Sequence, residues 1–516
     1  MSHRSSATKT RDDVLTLAAL AARALRALAA KRTNGARPPS ESSSSNSSPS
    51  FVVALALKPS VEALALLIAI ASANAIAMPM NPKSPFAERA RASASVGARV
   101  VVVDDDDDAS FDDMSATIRC ACEGEIAIEI ARAHSLFASQ RAPSEEEKEA
   151  CAEAFARASA ETFSYVHTSG TSNGMSKIVE LTYENVNAAS RAKGRVIQYD
   201  ASDVFAHFAP LFHVGGLSSA HAAFIAGAKH VFIRDFDADR VLEVIASEGV
   251  TAFIAVPTMM TMVLRAAKRS SNAALPTVRK ILIGGGRLLE PLRGVCEIFP
   301  NASVIMAYGM TEASSSVTFM RADDERLAED ATFAGEPAPE MEIKTDQDGQ
   351  ILIRGAQLMR GYLGVDRAST FDADGWFATG DSGRVVADAD GATRCWLVGR
   401  VKEMIKSGGE NVAPQEVEGA LSAYENVESV VVVGVPHALW GEAVTAIVRL
   451  KEPTMDVDAE VRALKAHCAA SIDRFKVPKA FIFIEDDIPR NTSGKVMRAA
   501  VREKYLDAIL DRLSDA

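Results

Sequence analysis

The sequence predicts an α/β protein of two or more domains, on three observations. Its 516 residues exceed what one hydrophobic core usually serves. After about residue 160, short apolar runs alternate with amphipathic helical stretches, as in a doubly wound sheet with helices on both faces. From about residue 335 short strands and turns dominate, and roughly the last hundred residues mix strands with helices, as in a small α+β domain.

In chain order, residues 14–32 repeat Leu and Ala at helical spacing. The stretch before them, MSHRSSATKTRDDV, is basic and Ser-rich, and Asp12 and Asp13 do not suit a transit peptide. Residues 1–13 are expected to be disordered. PPSESSSSNSSPS, residues 38–50, is a flexible loop by composition. The uncharged run 63–80 contains Ser72, Asn74 and Pro79, and reads as a buried helix, a turn at Asn74 and a short strand rather than a membrane span. ARVVVVDDDDDAS is a buried strand, and its Asp104–Asp108 run is expected to be a solvated loop tip. HVFIRDF, TAFIAVP and RKILIGGG supply strands; VLEVIASE and LLEPLRGVCEIF supply helices. GQILIRG, GWFATGD and TRCWLVGR follow as short strands, then VESVVVVGV and AVTAIVRL.

Hydrophobic residues make up 48% and charged residues 24%, an ordinary globular balance. A net charge of -12 disfavours a nucleic-acid binder, since no basic excess faces a phosphate backbone. Six scattered cysteines without a CxxC pair suit a reducing compartment. Cys120, Cys122 and His134 match no zinc spacing. The final RLSDA is not an SKL-type address.

The chemistry-bearing residues begin at YVHTSGTSNGMSK, residues 165–177. Ser164, Thr168, Ser169, Thr171 and Ser172 offer hydroxyls. Gly170 and Gly174 let backbone N–H groups approach an anion, and Lys177 adds a point charge. AYGMTEASS places Tyr308, Gly309, Thr311 and Glu312 after the strand SVIMA, where a ring, a hydroxyl and a carboxylate suit a base, a phosphate oxygen and Mg2+. ILIGGGRLLE is a strand–glycine–helix turn lacking the third glycine of a dinucleotide fingerprint. WFATGDSG puts Asp381 in a turn, where a carboxylate could take two ribose hydroxyls. IPRNTSGKVMR offers Lys495.

These motifs, six of them in matching order, resemble the adenylate-forming superfamily of acyl-CoA synthetases, peptide-synthetase adenylation domains and luciferases. The resemblance runs from about residue 14 to the C-terminus and includes NAIAMPMNPKSP. It implies a large N-terminal domain of layered α/β sheets plus a β-barrel, residues 14–401, and a small mobile C-terminal lid, 402–516, hinged at Lys402. It implies ATP, Mg2+ and CoA, with an acyl-adenylate formed first and a thioester second. Thr168, Ser169, Gly170, Thr171, Ser172, Gly174 and Lys177 would hold the β- and γ-phosphates. Tyr308 and Gly309 would meet adenine, with Gly284, Gly285 and Gly286 lining the adenine or acyl pocket. Thr311 would contact the α-phosphate, and Glu312, with Thr168, would ligate Mg2+. Asp381 and Arg400 would bind ribose, and Lys495 would bridge the substrate carboxylate and the α-phosphate. Gly408 and Gly409, in KSGGENV, would line the pantetheine tunnel.

Two departures are visible. The family's TSGTTGxPK becomes TSGTSNGMSK, with Asn173 inserted and Ser176 replacing proline, and LTYEN puts Tyr183 where LTHxN has histidine. In APLFHVGGLSSA, His213 would gate the acyl site, Gly215 and Gly216 would leave room for a ring, and Ser218 would line the pocket. PLFHVGGLSSA, FIAVPTMMTMV and AYGMTEASSSVTFM are similar to the plant and algal o-succinylbenzoate–CoA ligases of phylloquinone synthesis. That likeness implies a plastid, with peroxisome or cytosol as alternatives, and a monomer or homodimer. Rival readings are another small-acid CoA ligase (oxalyl-, malonyl- or 4-coumarate-type), a carrier-loading adenylation domain, disfavoured by SGGENV and by the absence of a following carrier domain, and a non-catalytic nucleotide-binding homologue.

Overall fold

The computed structural model describes residues 8–30, 51–105, 129–138, 141–172, 175–269, 274–286, 292–330, 332–388, 391–490 and 496–514. The chain forms two compact units. One comprises 1–323 with 337–341 and 354–372, and the other 324–336, 342–353 and 373–516.

The first unit holds two sheets. One runs, edge to edge, Gly361–Tyr362, Met175–Thr182, Thr162–Ser172, Ile76–Pro79, Val52–Ala56, Ala98–Val103 and Glu129–Arg132. Its inner members pair in parallel, and Thr162–Ser172 and Met175–Thr182 form an antiparallel hairpin. The other follows the order Thr318–Arg321, Ser303–Tyr308, Lys280–Gly284, Ala252–Ala255, Val204–His207, Lys229–Phe232, with every pair parallel except the first. The strands VVALA and AFIA are apolar and buried at every position, and KILIG is buried at its central three, so the period-two alternation of a half-exposed strand is absent.

Helix ends follow local chemistry. Thr182 and Asn185 form a reciprocal cap at the start of Tyr183–Ile197. Asp237 caps Ala238–Glu248, which ends at left-handed Gly249. The uncharged run resolves as expected into the helix Val61–Ser72, a turn with Asn74 at φ 53° and the strand Ile76–Pro79. Among the described residues no helix is long and apolar enough to cross a membrane.

Two expectations are corrected in this unit. Residues 8–13 are ordered. Lys9 pairs antiparallel with His230, Thr8 donates to Glu248 at 2.6 Å, and a helix runs from Arg11 to Ala30 with Val14, Ala18, Ala21 and Leu25 buried. The exposed edge of the strand Lys229–Phe232 supplies the backbone partners, and the Leu/Ala face supplies the burial. Asp104 is likewise no solvated tip. It is 5% exposed, accepts from the Lys58 N–H at 2.9 Å and pairs with Arg234 at 3.1 Å. An acid at a strand's end is retained there by a cation and a backbone donor. Residues 106–108, Cys120, Cys122 and the Ser-rich loop lie outside the described residues.

In the second unit Thr393–Arg400 pairs antiparallel with both Phe333–Pro337 and Phe377–Ala387, and the latter with Gln350–Gly355. A further sheet joins Glu410–Val412, Ile405–Ser407, Gly441–Leu450 and Val427–His437, with Ala480–Phe483 parallel to Gly441–Leu450. Its two faces bury separate clusters: Val417, Leu421, Leu464 and Phe481 on one, Val433, Ile447, Val501 and Ile509 on the other. Arg498 pairs with Glu418, whose other contact is the Val432 N–H at 2.7 Å, and with Glu403 at 2.9 Å.

Candidate active site

In the first unit the parallel order places the strand Val204–His207 between its successors, so the chain leaves its C-terminal end in one direction and returns on the other side. Such a switch point opens a crevice at the carboxyl ends of the strands. The sequence-predicted residues gather along that edge. His213 precedes the helix Val214–Ile225, its ring 4.4 Å from that of Phe212. Gly215 starts the helix half-exposed, with Ile254 3.7 Å from where a side chain would begin. Gly284 ends its strand, and exposed Gly285 and Gly286 face Val256 and Pro257. Tyr308 ends the next strand, and Gly309 leads to the short helical turn Thr311–Ala313.

Two acyl-site expectations change. A methyl group on Gly216 would collide with the Pro210 carbonyl, so this glycine serves a close backbone approach rather than pocket volume. Ser218 is fully buried, accepts from Lys193 Nζ at 2.7 Å and donates to the Val214 carbonyl at 2.8 Å. It joins two packed helices instead of lining a pocket. Lys193 carries no exposed surface, and burial pushes its ammonium down to about 7. No pattern in the sequence marks that lysine, because helical spacing alone does not separate a buried cation from a surface one.

The phosphate-loop segment forms the end of the hairpin Thr162–Ser172/Met175–Thr182, with Thr171 opposite Ser176 and Ser172 opposite Met175. Ser169, Gly170, Thr171 and Ser172 thus lie on one strand, while Asn173 and Gly174 lie outside the described residues. Thr168 Oγ1 donates to the Lys177 carbonyl at 3.3 Å. Exposed Lys177 places Nζ 4.4 Å from the centroid of the Tyr362 ring, and the Tyr362 hydroxyl donates to Glu312 Oε1 at 2.7 Å. Sequence reasoning missed Tyr362. It lies 50 residues from Glu312 in the chain and meets it only because Gly361–Tyr362 pairs with the hairpin. The structure therefore joins Lys177 and Glu312, two predicted residues, through one that was not predicted, with Thr168 bonded to the Lys177 backbone.

A cation, a hydroxyl and a carboxylate in one cluster suit a polyanion carrying a hard metal. Among the described residues no group of three or more His, Cys, Asp or Glu could hold a metal alone. A single carboxylate beside phosphate-binding groups is the donor set Mg2+ takes when phosphates complete its shell, so these residues fit that ion.

In the second unit Asp381 lies in the strand Phe377–Ala387 and not in a turn, directly opposite Arg400. Burial alternates through it, with Phe377, Thr379 and Asp381 inward, and the irregularity falls between Ser382 and Gly383. Asp381 is 7% exposed, its Oδ1 2.9 Å from Arg400 Nε, and its N–H donates to Thr379 Oγ1 at 3.0 Å. Lys402 is exposed in the turn Val401–Glu403. Gly408 and Gly409, at φ +63° and +88°, form a two-residue hairpin loop between Ile405–Ser407 and Glu410–Val412. Left-handed backbone at both positions explains the glycine pair without reference to a ligand. Lys495 lies outside the described residues; the flanking Arg490 and Val496 pair with each other.

The AMP-binding enzyme profile matches residues 45–363, more than half of the chain, and that family's C-terminal domain matches 416–495. This chain belongs to the AMP-binding enzyme family. The 2-succinylbenzoate–CoA ligase, chloroplastic/peroxisomal, of Arabidopsis thaliana is 39% identical over 376 residues, 66% of each protein, so the match spans just under two thirds of that relative. The 2-succinylbenzoate–CoA ligase of Listeria monocytogenes is 30% identical over 66% of this AMP-binding enzyme and 70% of its own length. Among solved structures, ATP-bound MatB from Rhodopseudomonas palustris matches with a TM-score of 0.75 and 27% identity, over 95% of this chain and 93% of its own. The o-succinylbenzoate–CoA synthetase (MenE) of Bacillus subtilis in complex with the acyl-adenylate OSB-AMP gives 0.73 and 25%, over 95% and 92%.

Proposed function

We propose that this AMP-binding enzyme is an acid–CoA ligase. It converts o-succinylbenzoate, ATP and CoA to o-succinylbenzoyl-CoA, AMP and pyrophosphate, within the route to phylloquinone or menaquinone. The likeness to ligases of that name carries the reading, above all the 39% identity of the plant enzyme. The Lys177–Tyr362–Glu312 cluster supports the nucleotide half of it.

A free carboxylate is a poor electrophile, since its leaving group would be oxide. An oxygen of the succinyl carboxylate attacks the α-phosphorus of ATP, the bond to the bridging oxygen breaks, and pyrophosphate leaves. The CoA thiolate then attacks the acyl carbon and AMP departs. No protein nucleophile is needed; positioning and charge stabilisation do the catalysis. Lys177 and the hydroxyls of 168–172 take the β- and γ-phosphates, Tyr308 the adenine and Thr311 the α-phosphate. Bound Mg2+ would neutralise phosphate charge, held by Glu312 with Thr168 nearby. Asp381 and Arg400 take the ribose. Lys495 bridges the two anions, and rotation about Lys402 exchanges it for the segment carrying Gly408 and Gly409. By analogy with the plant relative, the compartment proposed is the plastid.

An acid panel with ATP, Mg2+ and CoA tests the substrate. Thioester formation from o-succinylbenzoate is expected to exceed that from oxalate, malonate or 4-coumarate by at least about 100-fold in kcat/KM, since the second carboxylate of oxalate or malonate lies too close to the first to reach donors placed for an aromatic one, and 4-coumarate has none. A preference for any of the three would replace the substrate assignment. Asp381→Asn tests the ribose role separately. It is expected to raise the KM for ATP roughly tenfold while leaving the KM for the acid within about twofold, because charged hydrogen bonds to the ribose are lost. Equal rises in both constants would remove Asp381 from the nucleotide site.

A further inference from the structure

We propose that Tyr362 is a positioning residue of this site. Its hydroxyl fixes the carboxylate offered to Mg2+, and its ring seats the ammonium of the phosphate-loop lysine. The proposal rests on the nucleotide-binding reading above and adds to it a residue that reading does not use.

Tyr362 is held from both sides. Its backbone pairs with Val179 while Gly361 pairs with Glu180, and the Leu363 N–H donates to the Ile178 carbonyl at 2.9 Å. That strand begins two residues before Lys177. On the other side, the Met359 N–H donates to the Glu312 carbonyl at 2.7 Å, and Ser314 Oγ to the Gln357 carbonyl at 2.8 Å. The segment 357–363 therefore ties the strand bearing Lys177 to the turn bearing Glu312.

The side chain completes the connection. Its phenol donates to one carboxylate oxygen of Glu312 at 2.7 Å, which sets the carboxylate plane and leaves the second oxygen for a cation. Lys177 Nζ sits 4.4 Å from the ring centroid. A ring face attracts an ammonium without cancelling its charge. The ammonium thus lies against the ring and the carboxylate accepts from the hydroxyl, so different parts of one side chain seat the two residues. The ring and the hydroxyl do separable work, so two substitutions distinguish them.

Calorimetric binding of ATP, without acid, is measured as Mg2+ is varied, for the unmodified protein, Tyr362→Phe, Tyr362→Leu and Glu312→Gln. Tyr362→Phe is expected to raise the Mg2+ concentration for half-maximal enhancement of ATP binding about tenfold, as loss of a partner that orients a metal ligand does. Its metal-free ATP affinity should stay within about twofold. Tyr362→Leu, which also removes the ring, should weaken metal-free ATP binding by about threefold more, the scale of an exposed cation–π contact. In the Glu312→Gln background, Tyr362→Phe should shift the Mg2+ dependence no further. An unchanged Mg2+ dependence in Tyr362→Phe, or an equal shift in the Glu312→Gln background, would overturn the proposal while the nucleotide-binding reading stood. Absence of Mg2+-dependent ATP binding by the unmodified protein would overturn both.

Discussion

Lys495→Ala is expected to lower acyl-adenylate formation by roughly 1,000-fold, while thioester formation from chemically prepared o-succinylbenzoyl-AMP and CoA falls less than about tenfold. The asymmetry follows from the charges. In the first step a carboxylate approaches a triphosphate, and the two repel until a cation lies between them. Electrostatic groups aimed at charge that develops in the transition state are worth about 3–4 kcal/mol each in a water-excluded site. In the second step the acyl carbon is already activated by its phosphate leaving group, and the attacking thiolate needs no bridge to the α-phosphate. Pyrophosphate exchange into ATP reads the first step, and thioester absorbance reads the second. Losses of equal size in both would make Lys495 a structural residue of its segment.

The second large effect concerns stability. Lys193→Met is expected to make the protein more stable at pH 7, by an amount on the order of 3 kcal/mol, and to lose most of that advantage by pH 10. Lys193 carries no exposed surface, and its ammonium is bound by one neutral hydroxyl, Ser218, at 2.7 Å. Burial lowers its pKa from the ordinary 10.5 to about 7. The unfolded chain therefore holds more protons than the folded one between about pH 7 and 10.5, so stability rises with pH across that window and is flat on either side. Methionine keeps the length and removes the titration. Urea unfolding at pH 7 and pH 9.5 checks it: a gain that is the same at both values would show that Lys193 is not held neutral by the fold.

The sequence made the architecture legible where apolar period and turn chemistry agree. The uncharged run 63–80 resolved into helix, Asn74 turn and strand because Ser60 supplies a helix cap and Asn74 tolerates left-handed backbone. The parallel strands Val52–Ala56 and Ala252–Ala255 were visible as short unbroken apolar runs. Long-range pairing left no such mark. Asp104 reads as one of five consecutive acids, and only folding brings Arg234 and the Lys58 N–H to it. Ser218 and Gly216 sit in a motif that suggested a pocket, but whether a small residue leaves space or admits a neighbouring backbone is decided by what packs on it, here Pro210 and Lys193. Asp381 and Arg400 were both chosen from motifs, yet their direct opposition across two strands depends on register. Tyr362 was invisible for the same reason. Its value arises from three segments meeting, and each alone is an ordinary stretch of strand or turn.

The central claim is that this AMP-binding enzyme joins a succinyl carboxylate to the α-phosphate of ATP before any thiol takes part. Incubating the protein with ATP, Mg2+ and o-succinylbenzoate, omitting CoA, and identifying the quenched products by mass spectrometry tests it directly. The expected products are o-succinylbenzoyl-AMP and pyrophosphate in equal amounts, close to one per active site. Formation of ADP and phosphate, or no adenylate until CoA is added, would contradict it.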